Sequence, residues 1–526
     1  MRREGEYFSA EVKARPGDRY LYRVDGGKPA PDPVSRFLPE GVHGPTEIIA
    51  PEAFQWSDGE WRGIDLAEYV IYELHVGTFT PEGTFEGVIQ RLDYLKNQLG
   101  VTAIELMPVA AFPGERNWGY DGASPYAVQA SYGGPEGLKR LVDAAHRVGL
   151  AVVLDVVYNH LGNEGNYLGM FGPYFTDRHH TPWGNAVNFA EPGVREYFIE
   201  NALYWVREYH LDALRLDAVQ TIFDGGGAGL RPALPILKEI GEEVHRLGDE
   251  LGGKACVIAE SDQNDPRLIT AYGLDAMWSD DFHHAVHTFL TGEGRGYYQD
   301  FGQLAQIALA LNEGYVFQGE EFKFWKRPRG LPASGLPLPA NVICLQNHDQ
   351  VGNRANGERL TALVPSAAAR KAAAALLLLA PHTPVLFMGQ EYDERRPFLF
   401  FTNFSDPELR KAVSEGRRRE FTEFDFRGVP DPEDPRTFER SKLDWSQVSQ
   451  ENEMLDWYEA LIRLRKQYVM RAERRCVAAA QPPGMLRMDI GDLHVDVNLR
   501  GSSLPAGDGE ELLYAADEGA AVRVRR

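Results

Sequence analysis

From about residue 69 onward, short apolar runs alternate with longer stretches of amphipathic pattern. Eight runs have the length and composition of buried strands: Tyr69–Val76, Ala103–Pro108, Ala151–Tyr158, Ala213–Asp217, Cys256–Glu260, Ala276–Asp281, Val342–Asp349 and Pro384–Glu391. Between them, apolar residues recur at helical spacing, with one face suited to a core. Three such stripes are Phe85, Val88, Ile89, Leu92, Leu95; Leu138, Leu141, Val142, Ala145; and Leu234, Leu237, Ile240, Val244, Leu247.

Eight strand–helix units over roughly 400 residues predict a parallel (β/α)₈ TIM barrel, an α/β fold, with insertions in its loops. An open, doubly wound sheet is the alternative, but no glycine fingerprint follows any of the strands. The barrel should span residues 66–470 and end with a helix from about Met454 to Tyr468. Two long polar insertions, 159–192 and 392–447, follow the third and eighth strands, so we expect both at the face that carries the site.

The two ends of the chain have a different pattern of apolar and polar residues. Residues 1–65 alternate in short β-like runs separated by turn signals, which predicts a short N-terminal β domain that leans on its neighbour. Residues 471–526 return to alternation, as in Leu493–Leu499, and predict a small C-terminal β domain. The apolar run Ala372–Ala380 is too short to span a bilayer and predicts a buried helix instead.

Composition and charge narrow the class of partner. The 526 residues include 77 acidic and 55 basic side chains, for a formal net charge of −22. Such an acidic surface argues against nucleic acid or an anionic membrane as partner and suits a neutral substrate. The three cysteines, Cys256, Cys344 and Cys476, make neither a disulfide framework nor a zinc motif. With no apolar signal core at the N-terminus, we expect a cytoplasmic protein.

One strand candidate carries charges that a buried strand does not need. In Leu211–Asp217 the apolar side chains alternate, yet Arg215 and Asp217 stand among them. Two residues apart on a strand, they face the same side and can pair. Burying a carboxylate costs several kcal/mol unless a partner compensates it. An ion pair that sets strand register and a carboxylate poised for chemistry both explain this stretch, so alone it leaves both open.

The other strand ends favour chemistry. In a barrel the carboxyl ends of the strands converge on one pocket. That pocket would collect three acids, two histidines and an arginine, which would be costly to bury for stability alone. They are Asp217, Glu260, Asp349, His160, His348 and Arg215.

Paired carboxylates without a metal motif or a serine–histidine pair suit glycosyl transfer. One carboxylate attacks the anomeric carbon, and a protonated one gives its proton to the leaving oxygen. Asp217 beside Arg215 should stay ionised, whereas the pKa of Glu260, which ends an apolar strand near other acids, should be raised. Asp217 is therefore the predicted nucleophile, Glu260 the general acid/base and Asp349 the stabiliser of the oxocarbenium-like charge. No cofactor and no metal is expected.

Four segments resemble the signature regions of the α-amylase superfamily: Asp155–His160, Leu214–Val219, Ile258–Asp262 and Asn347–Gly352. The resemblance covers most of the chain and implies the same three roles for Asp217, Glu260 and Asp349. The turn Asn117–Asp121 resembles the segment whose tyrosine, here Tyr120, stacks under the reacting glucose. Substrate contacts are implied for Tyr120, Asp121, His160, Arg215, His348 and Asp281.

Further segments resemble a trehalose-releasing group within that superfamily. They are Pro31–Arg36, Pro39–Gly44, Trp278–His284, Pro397–Thr402 and Asp431–Trp445. This resemblance implies a retaining hydrolase that cleaves the α-1,4 bond next to the trehalose end of maltooligosyl trehalose, an α-1,4-glucan oligosaccharide. A glucan branching or debranching enzyme is the alternative, and a non-catalytic carbohydrate-binding protein is the alternative of another class.

Three features depart from the superfamily pattern. The N-terminal segment is shorter than the β domain of that group. Gln220 stands where related enzymes often carry a basic residue, which bears on contacts to the leaving group. Asp155 and Asn159 are the nearest candidates for a calcium site, and a structural role fits them better. Chain-length preference and oligomeric state leave no signal in the sequence.

Overall fold

Eight parallel strands close into the barrel that the alternating pattern predicts. The computed structural model describes residues 1–5, 7–224, 235–333, 335–422, 428–448, 451–470 and 476–526. In chain order the barrel strands are β1 (Ile71–Leu74), β2 (Ala103–Leu106), β3 (Ala151–Val156), β4 (Ala213–Leu216), β5 (Cys256–Glu260), β6 (Ala276–Trp278), β7 (Asn341–Cys344) and β8 (Thr383–Phe387). Each strand pairs with its neighbours in the chain, and β8 pairs with β1 to complete the circle.

The inner face of the barrel changes from apolar to charged along the strands. One apolar cluster takes a residue from every barrel strand, among them Ile71, Ala103, Val153, Ala213 and Ile258, and therefore fills the lower interior. Because side chains alternate along a strand, the residues two positions further on face the same interior. Those residues are all charged: Glu73, Glu105, Asp155, Arg215 and Glu260. The interior is thus a packed apolar plug beneath a layer of ionisable groups.

Helices cover the outside of the barrel. The longer ones are Gly134–Val148, Pro192–Tyr209, Ile236–Glu250, Asp280–Thr291, Leu304–Glu313, Ala367–Leu379, Pro407–Thr422, Pro435–Ser441 and Glu453–Leu464. Single turns are Val76–Phe79, Phe85–Ile89, Arg267–Thr270, His348–Gly352 and Leu360–Leu363, with π-helical turns at Tyr94–Leu99 and Arg465–Val469. The predicted buried helix is confirmed, since every residue of Ala372–Ala380 is fully buried. Leu234 of the third predicted stripe lies outside the described residues.

None of the helices in the described parts of the chain is long and apolar enough to cross a lipid bilayer.

Seven of the eight barrel strands end earlier than their predicted runs, and in two of them, β6 and β7, this affects the site. The pattern predicts one strand from Val342 to Asp349, but β7 ends at Cys344. The Asn347 side chain accepts a hydrogen bond from the Gln350 amide and so caps a short helix that starts at His348. Likewise β6 ends at Trp278, and the next helix begins at Asp280. In both places the change from strand to helix alters where the side chains of the following acids, Asp281 and Asp349, point.

The N-terminal segment forms short strand pairs rather than a continuous sheet. They are Arg2–Glu4 with Tyr7–Ser9, Arg19–Tyr20 with Thr46–Glu47, and Tyr22–Arg23 with Pro29–Ala30. Glu6, which begins the β-like run Glu6–Val12 of this segment, lies outside the described residues. The division of the chain at residues 65 and 470 stays a prediction.

The two insertions meet above the barrel. The first contains the hairpin Phe175–Thr181 and Gly184–Val187. The second contains the helices Pro407–Thr422 and Pro435–Ser441. Glu164 of the first insertion accepts hydrogen bonds from the amides of Ser405 (2.9 Å) and Asp406 (3.3 Å) in the second, and from His43 Nε2 at 3.1 Å. One buried carboxylate thus joins both insertions to the N-terminal segment.

The remaining strand pairs are small. Ala110–Ala111 pairs with Ser124–Val128, and Glu321–Phe322 pairs with Arg327–Pro328.

The C-terminal residues form the predicted β domain. Its five antiparallel strands are β9 (Val477–Gln481), β10 (Met485–Ile490), β11 (Leu493–Asn498), β12 (Glu511–Ala516) and β13 (Ala521–Arg525), in the order β9-β10-β11-β13-β12. Alternate residues such as Met488, Val495 and Val524 are fully buried. The sheet therefore has one apolar face, as the alternation predicts.

A buried histidine ties the segment before the barrel to the lower ends of the strands. His146 Nδ1 lies 2.8 Å from Asp58 Oδ2, and its Nε2 lies 3.0 Å from Asp212 Oδ2. Trp61 stacks on the imidazole and donates its indole N–H to Asp212 at 2.6 Å. Since both ring nitrogens face carboxylates, His146 is held as an imidazolium.

This arrangement predicts a stability that depends on pH. Burial lowers the pKa of His146, but Asp212 and Asp58 outweigh it and raise the pKa to about 9. The contribution, on the order of 3 kcal/mol, is present in full below the unfolded-state pKa and is lost as the pH rises through the folded-state pKa. We expect His146→Gln to lower Tm far more at pH 6 than at pH 9.5, measured by calorimetry.

His210→Gln is the matched control, because His210 binds the same Asp58 oxygen at 2.8 Å from a more exposed position. His210→Gln should lower Tm at pH 6 by less than His146→Gln does. An equal loss of Tm for His146→Gln at both pH values would contradict the charged state of His146.

Candidate active site

The guanidinium of Arg215 organises the charged layer of the barrel. Its side chain is fully buried, and Nη1 donates to both oxygens of Asp155 at 2.9 and 2.8 Å. The same nitrogen donates to Asp217 Oδ1 at 2.9 Å. Nη2 lies 3.7 Å from Glu260 Oε2, and the Trp278 ring covers the guanidinium at 4.6 Å. The predicted pairing of Arg215 with Asp217 is confirmed, and one cation serves three carboxyl groups.

The backbone after Asp217 turns sharply and contacts Glu260. Ala218 adopts the left-handed region, with φ of 40°. This conformation costs a non-glycine residue about 1–2 kcal/mol. It directs the Ala218 amide at Glu260 Oε2, which accepts its hydrogen bond at 2.5 Å. The same turn therefore presents Asp217 at the strand end and orients the second carboxyl group.

The surroundings of the Glu260 carboxyl group raise its pKa. Burial raises the pKa of Glu260, Arg215 opposes this, and Asp217 and Asp349 add to it, so that the pKa reaches about 8. Glu260 therefore holds its proton at neutral pH, as predicted. Asp217 accepts a direct hydrogen bond from the guanidinium at 2.9 Å. Both carboxyl groups thus lie beside the same cation.

Asp349 and His348 enter the site from the short helix after β7. The Asp349 side chain is 41% exposed and lies with its Oδ1 3.4 Å from His348 Nε2. That nitrogen also lies 2.7 Å from the Tyr120 hydroxyl, which donates to Asp155 Oδ2 at 2.6 Å. Tyr120 and His348 rings stack with centroids 5.0 Å apart. Tyr120 thus joins the His348 side of the site to the Arg215 cluster.

His348 is held from below by a carboxylate of β1. Glu73 Oε1 lies 2.5 Å from His348 Nδ1, and Glu73 Oε2 accepts from the His348 amide at 3.0 Å. Burial lowers the pKa of His348, but Asp349 and Glu73 outweigh it and raise the pKa to about 9.

His160 lines the opposite side of the site. Its Nε2 lies 3.0 Å from the Tyr120 carbonyl, and burial lowers the pKa of its imidazole. The Trp183 ring, from the tip of the hairpin in the first insertion, stacks on it with centroids 4.0 Å apart. Trp183 is 41% exposed. An aromatic surface therefore borders the pocket next to His160.

The turn that carries Tyr120 is fixed internally. Asn117 donates from Nδ2 to Asp121 Oδ2 at 2.6 Å, and burial raises the pKa of the Asp121 carboxyl. Gly119 has φ of 108°, and a Cβ there would lie 2.2 Å from the Pro108 carbonyl oxygen. Only glycine fits this turn. The structure therefore gives Asp121 a partner within the turn and leaves a sugar contact by it as a prediction.

Asp281 lies away from the pocket, so its position speaks against the expected substrate contact. It is fully buried, pairs with Arg329 Nη1 at 2.9 Å and accepts from the amides of Val316 and Phe317 at 2.7 and 3.0 Å. Because β6 ends at Trp278 and a helix begins at Asp280, Asp281 turns towards a loop. Asp280, whose charge helps to raise the pKa of Glu260, lies nearer to the catalytic acids.

Three residues of the site escaped sequence reasoning. Glu73 stands in an apolar strand, which is the same signal that singled out Arg215 and could have identified it. Trp278 lies within the predicted strand Ala276–Asp281, and it is the last residue of β6. Trp183 lies in an insertion without periodicity, and no pattern marks it.

Asp155 and Asn159 are the nearest candidates for calcium ligands in the sequence. Asp155 instead pairs with Arg215, and burial raises its pKa to about 6 against the effect of that cation. Within the described ranges, no three His, Cys, Asp or Glu side chains converge as a metal site would require.

Comparison with known proteins identifies the family. Residues 48–171 match the model of the alpha amylase catalytic domain. The malto-oligosyltrehalose trehalohydrolase of Saccharolobus solfataricus is 48% identical over 478 residues, which cover 89% of this chain and 81% of that protein. The enzyme of the same name from Arthrobacter ramosus is 48% identical, with 91% and 84% covered.

A crystal structure of a candidate α-amylase from Salmonella typhimurium superimposes with a TM-score of 0.89, at 41% identity and over 97% of this chain and 91% of that one. The chain therefore belongs to the malto-oligosyltrehalose trehalohydrolase family of the α-amylase superfamily.

Proposed function

We propose that this chain hydrolyses the α-1,4 bond next to the trehalose end of maltooligosyl trehalose and releases trehalose. The observation that carries the chemistry is the contact of one buried guanidinium with both Asp217 and Glu260. The choice of substrate is supported by relatives that share 48% of their residues with this chain and bear the name malto-oligosyltrehalose trehalohydrolase. No cofactor is needed for this reaction.

In the first step Asp217 attacks the anomeric carbon of the glucose that precedes trehalose. The bond between this carbon and the glycosidic oxygen breaks as the bond to the Asp217 oxygen forms. Glu260, protonated because of its raised pKa, gives its proton to the departing oxygen. Trehalose leaves as a neutral sugar, and the glucan stays bound to Asp217 as an ester.

In the second step water replaces Asp217 at the anomeric carbon. Glu260, now ionised, takes a proton from the water, and the ester bond to Asp217 breaks. Two displacements restore the α configuration at the new reducing end. The side-by-side placement of Asp217 and Glu260 on one guanidinium supports this retaining course, which needs a close carboxyl pair.

The surrounding residues divide into binding and stabilising roles. Asp349, the most exposed acid of the trio, stabilises the oxocarbenium-like charge and binds sugar hydroxyls. Tyr120, His160 and His348 bind the reacting glucose, since Tyr120 contacts both histidines and the charge of Asp217 acts on Tyr120 and His160. Asp280 replaces Asp281 as the acid that we expect near the substrate.

Incubation with maltopentaosyl trehalose tests the substrate. We expect trehalose as the main disaccharide, released together with maltopentaose that first appears as the α-anomer by ¹H NMR. Altered branching of a linear glucan with little trehalose would instead support a branching enzyme. Binding of the oligosaccharide without any product would support the non-catalytic alternative.

Glu260 should set the alkaline limb of the pH profile. As the general acid it must be protonated, so kcat/KM should fall as the pH rises through about 8. Glu260→Gln should lower kcat at pH 7 by about 10³-fold or more. Steady-state rates from pH 5 to 10 check both expectations.

Asp262→Asn is the matched control, because it changes a nearby acid after the same strand. It should keep the alkaline limb near pH 8. A Glu260→Gln enzyme with an unchanged rate would refute the assignment of the acid.

Arg215→Met should damage both stability and activity. It removes the cation from Asp155 and Asp217 and leaves two buried carboxylates unpaired, at a cost of about 3–5 kcal/mol. We expect a lower Tm together with a fall of at least about 100-fold in kcat/KM. Arg215→Lys keeps the positive charge but loses the forked donor geometry of the guanidinium. Its Tm and kcat/KM should therefore lie between those of the wild-type enzyme and Arg215→Met. Unchanged melting and turnover in Arg215→Met would show that the cluster does not hold the site.

A further inference from the structure

We propose that Glu73 is a positioning residue of this reaction, which holds His348 as an imidazolium so that its Nε2–H orients Tyr120 and Asp349. The inference rests on the proposed function and adds a residue that does not touch the sugar. Glu73 is 1% exposed and lies on β1, beneath His348.

The hydrogen bonds around His348 suit a ring that is protonated on both nitrogens. The Tyr120 hydroxyl carries one proton, which it donates to Asp155 Oδ2 at 2.6 Å. Its contact of 2.7 Å with His348 Nε2 therefore requires a proton on that nitrogen. At the other side of the ring, one Glu73 oxygen lies 2.5 Å from Nδ1, and the other accepts from the His348 amide at 3.0 Å. A carboxylate that accepts at both oxygens places the second ring proton on Nδ1.

The environment agrees with this count. The charged and titratable groups around His348 come from four strands, one helix and two loop residues, and they include more acids than bases: Glu73, Glu105, Asp155, Asp349, Tyr120, Arg215 and His75. Carboxylates of Asp349 and Glu73 outweigh burial and raise the pKa of His348 to about 9. The imidazolium is therefore stable at neutral pH.

The neighbouring strand provides a natural comparison. Glu105 on β2 pairs in register with Glu73, is equally buried, and neither carboxyl oxygen has a hydrogen-bond partner among the described residues. Burial, with a further effect of Glu73, raises the pKa of the Glu105 carboxyl, which is therefore neutral. Two acids of the same layer thus have the same depth of burial, but only Glu73 contacts His348.

The charged imidazole of His348 orients the side chains of Tyr120 and Asp349. Its Nε2–H points between the Tyr120 hydroxyl at 2.7 Å and Asp349 Oδ1 at 3.4 Å. A neutral ring with its proton on Nδ1 would accept from Tyr120 instead, which would remove the Tyr120 proton from Asp155. Asp349 would at the same time lose its only neighbouring donor on that ring. Tyr120 would then lose its hydrogen bond to Asp155, and Asn353, at 3.1 Å, would still donate to Asp349 Oδ1. The hydroxyl and the carboxylate would therefore be oriented less firmly towards the reacting sugar.

Glu73→Gln tests the inference, with trehalose release from maltopentaosyl trehalose as the assay. We expect kcat/KM at pH 8 to fall by about 10- to 100-fold, mostly in kcat, because a charged hydrogen bond is lost. The loss should shrink towards pH 5.5, where His348 regains its proton without Glu73. Wild-type enzyme that releases no trehalose would refute the proposed function itself, independently of this variant.

Two controls separate positioning from loss of fold. Glu105→Gln removes an acid at the same depth and should change kcat/KM by less than about 2-fold. In a His348→Gln background, Glu73→Gln should have no further effect, because Glu73 acts through His348. An equal loss in Glu105→Gln, additive losses in the double variant, or a loss that does not vary with pH would each overturn the inference.

A measurement on the wild-type enzyme covers the case in which Glu73→Gln does not fold. ¹⁵N-histidine NMR at pH 7, with His348 assigned from the His348→Gln spectrum, should show both ring nitrogens protonated. A neutral His348 would overturn the inference.

Discussion

The burial of one guanidinium is the constraint on which the site depends. Arg215 is wholly removed from solvent, so its charge must be balanced by nearby acids, and Asp155, Asp217 and Glu260 provide them from three adjacent strands. Since three carboxyl groups share one cation, they cannot all be equally charged. Glu260, which has the most distant contact with the guanidinium, keeps its proton. The division between acid and base follows from this imbalance.

Backbone and side chains reinforce that division. The left-handed turn at Ala218 stores a small strain and directs an amide at Glu260, which fixes the orientation of the acid. Below, the apolar plug of the barrel keeps water from the charged layer, so the electrostatic effects act at low dielectric. The same alternation of side chains that packs the lower barrel thus places the ionisable groups in the upper one.

Sequence reasoning reached the barrel, the C-terminal sheet and the meeting of Asp217, Glu260 and Arg215, because strand alternation and strand-end acids are local signals. The resemblance implied a substrate contact for Asp281, and the predicted strand ran on to that residue, whereas β6 ends at Trp278 and a helix begins at Asp280. Trp183 reaches His160 from an insertion whose path depends on tertiary contacts. The N-terminal alternation predicted longer strands than form, since turns divide it.

The pairing of Glu73 with His348 has a consequence for how the molecule assembles. The two residues lie 275 positions apart in the chain, whereas Arg215 finds Asp155 and Asp217 within 60 positions. A chain that has completed only its first four strands can therefore neutralise the guanidinium, but the Glu73 carboxyl group of β1 still lacks its histidine. That histidine follows β7, so the second half of the barrel supplies the partner of a group that the first strand buries.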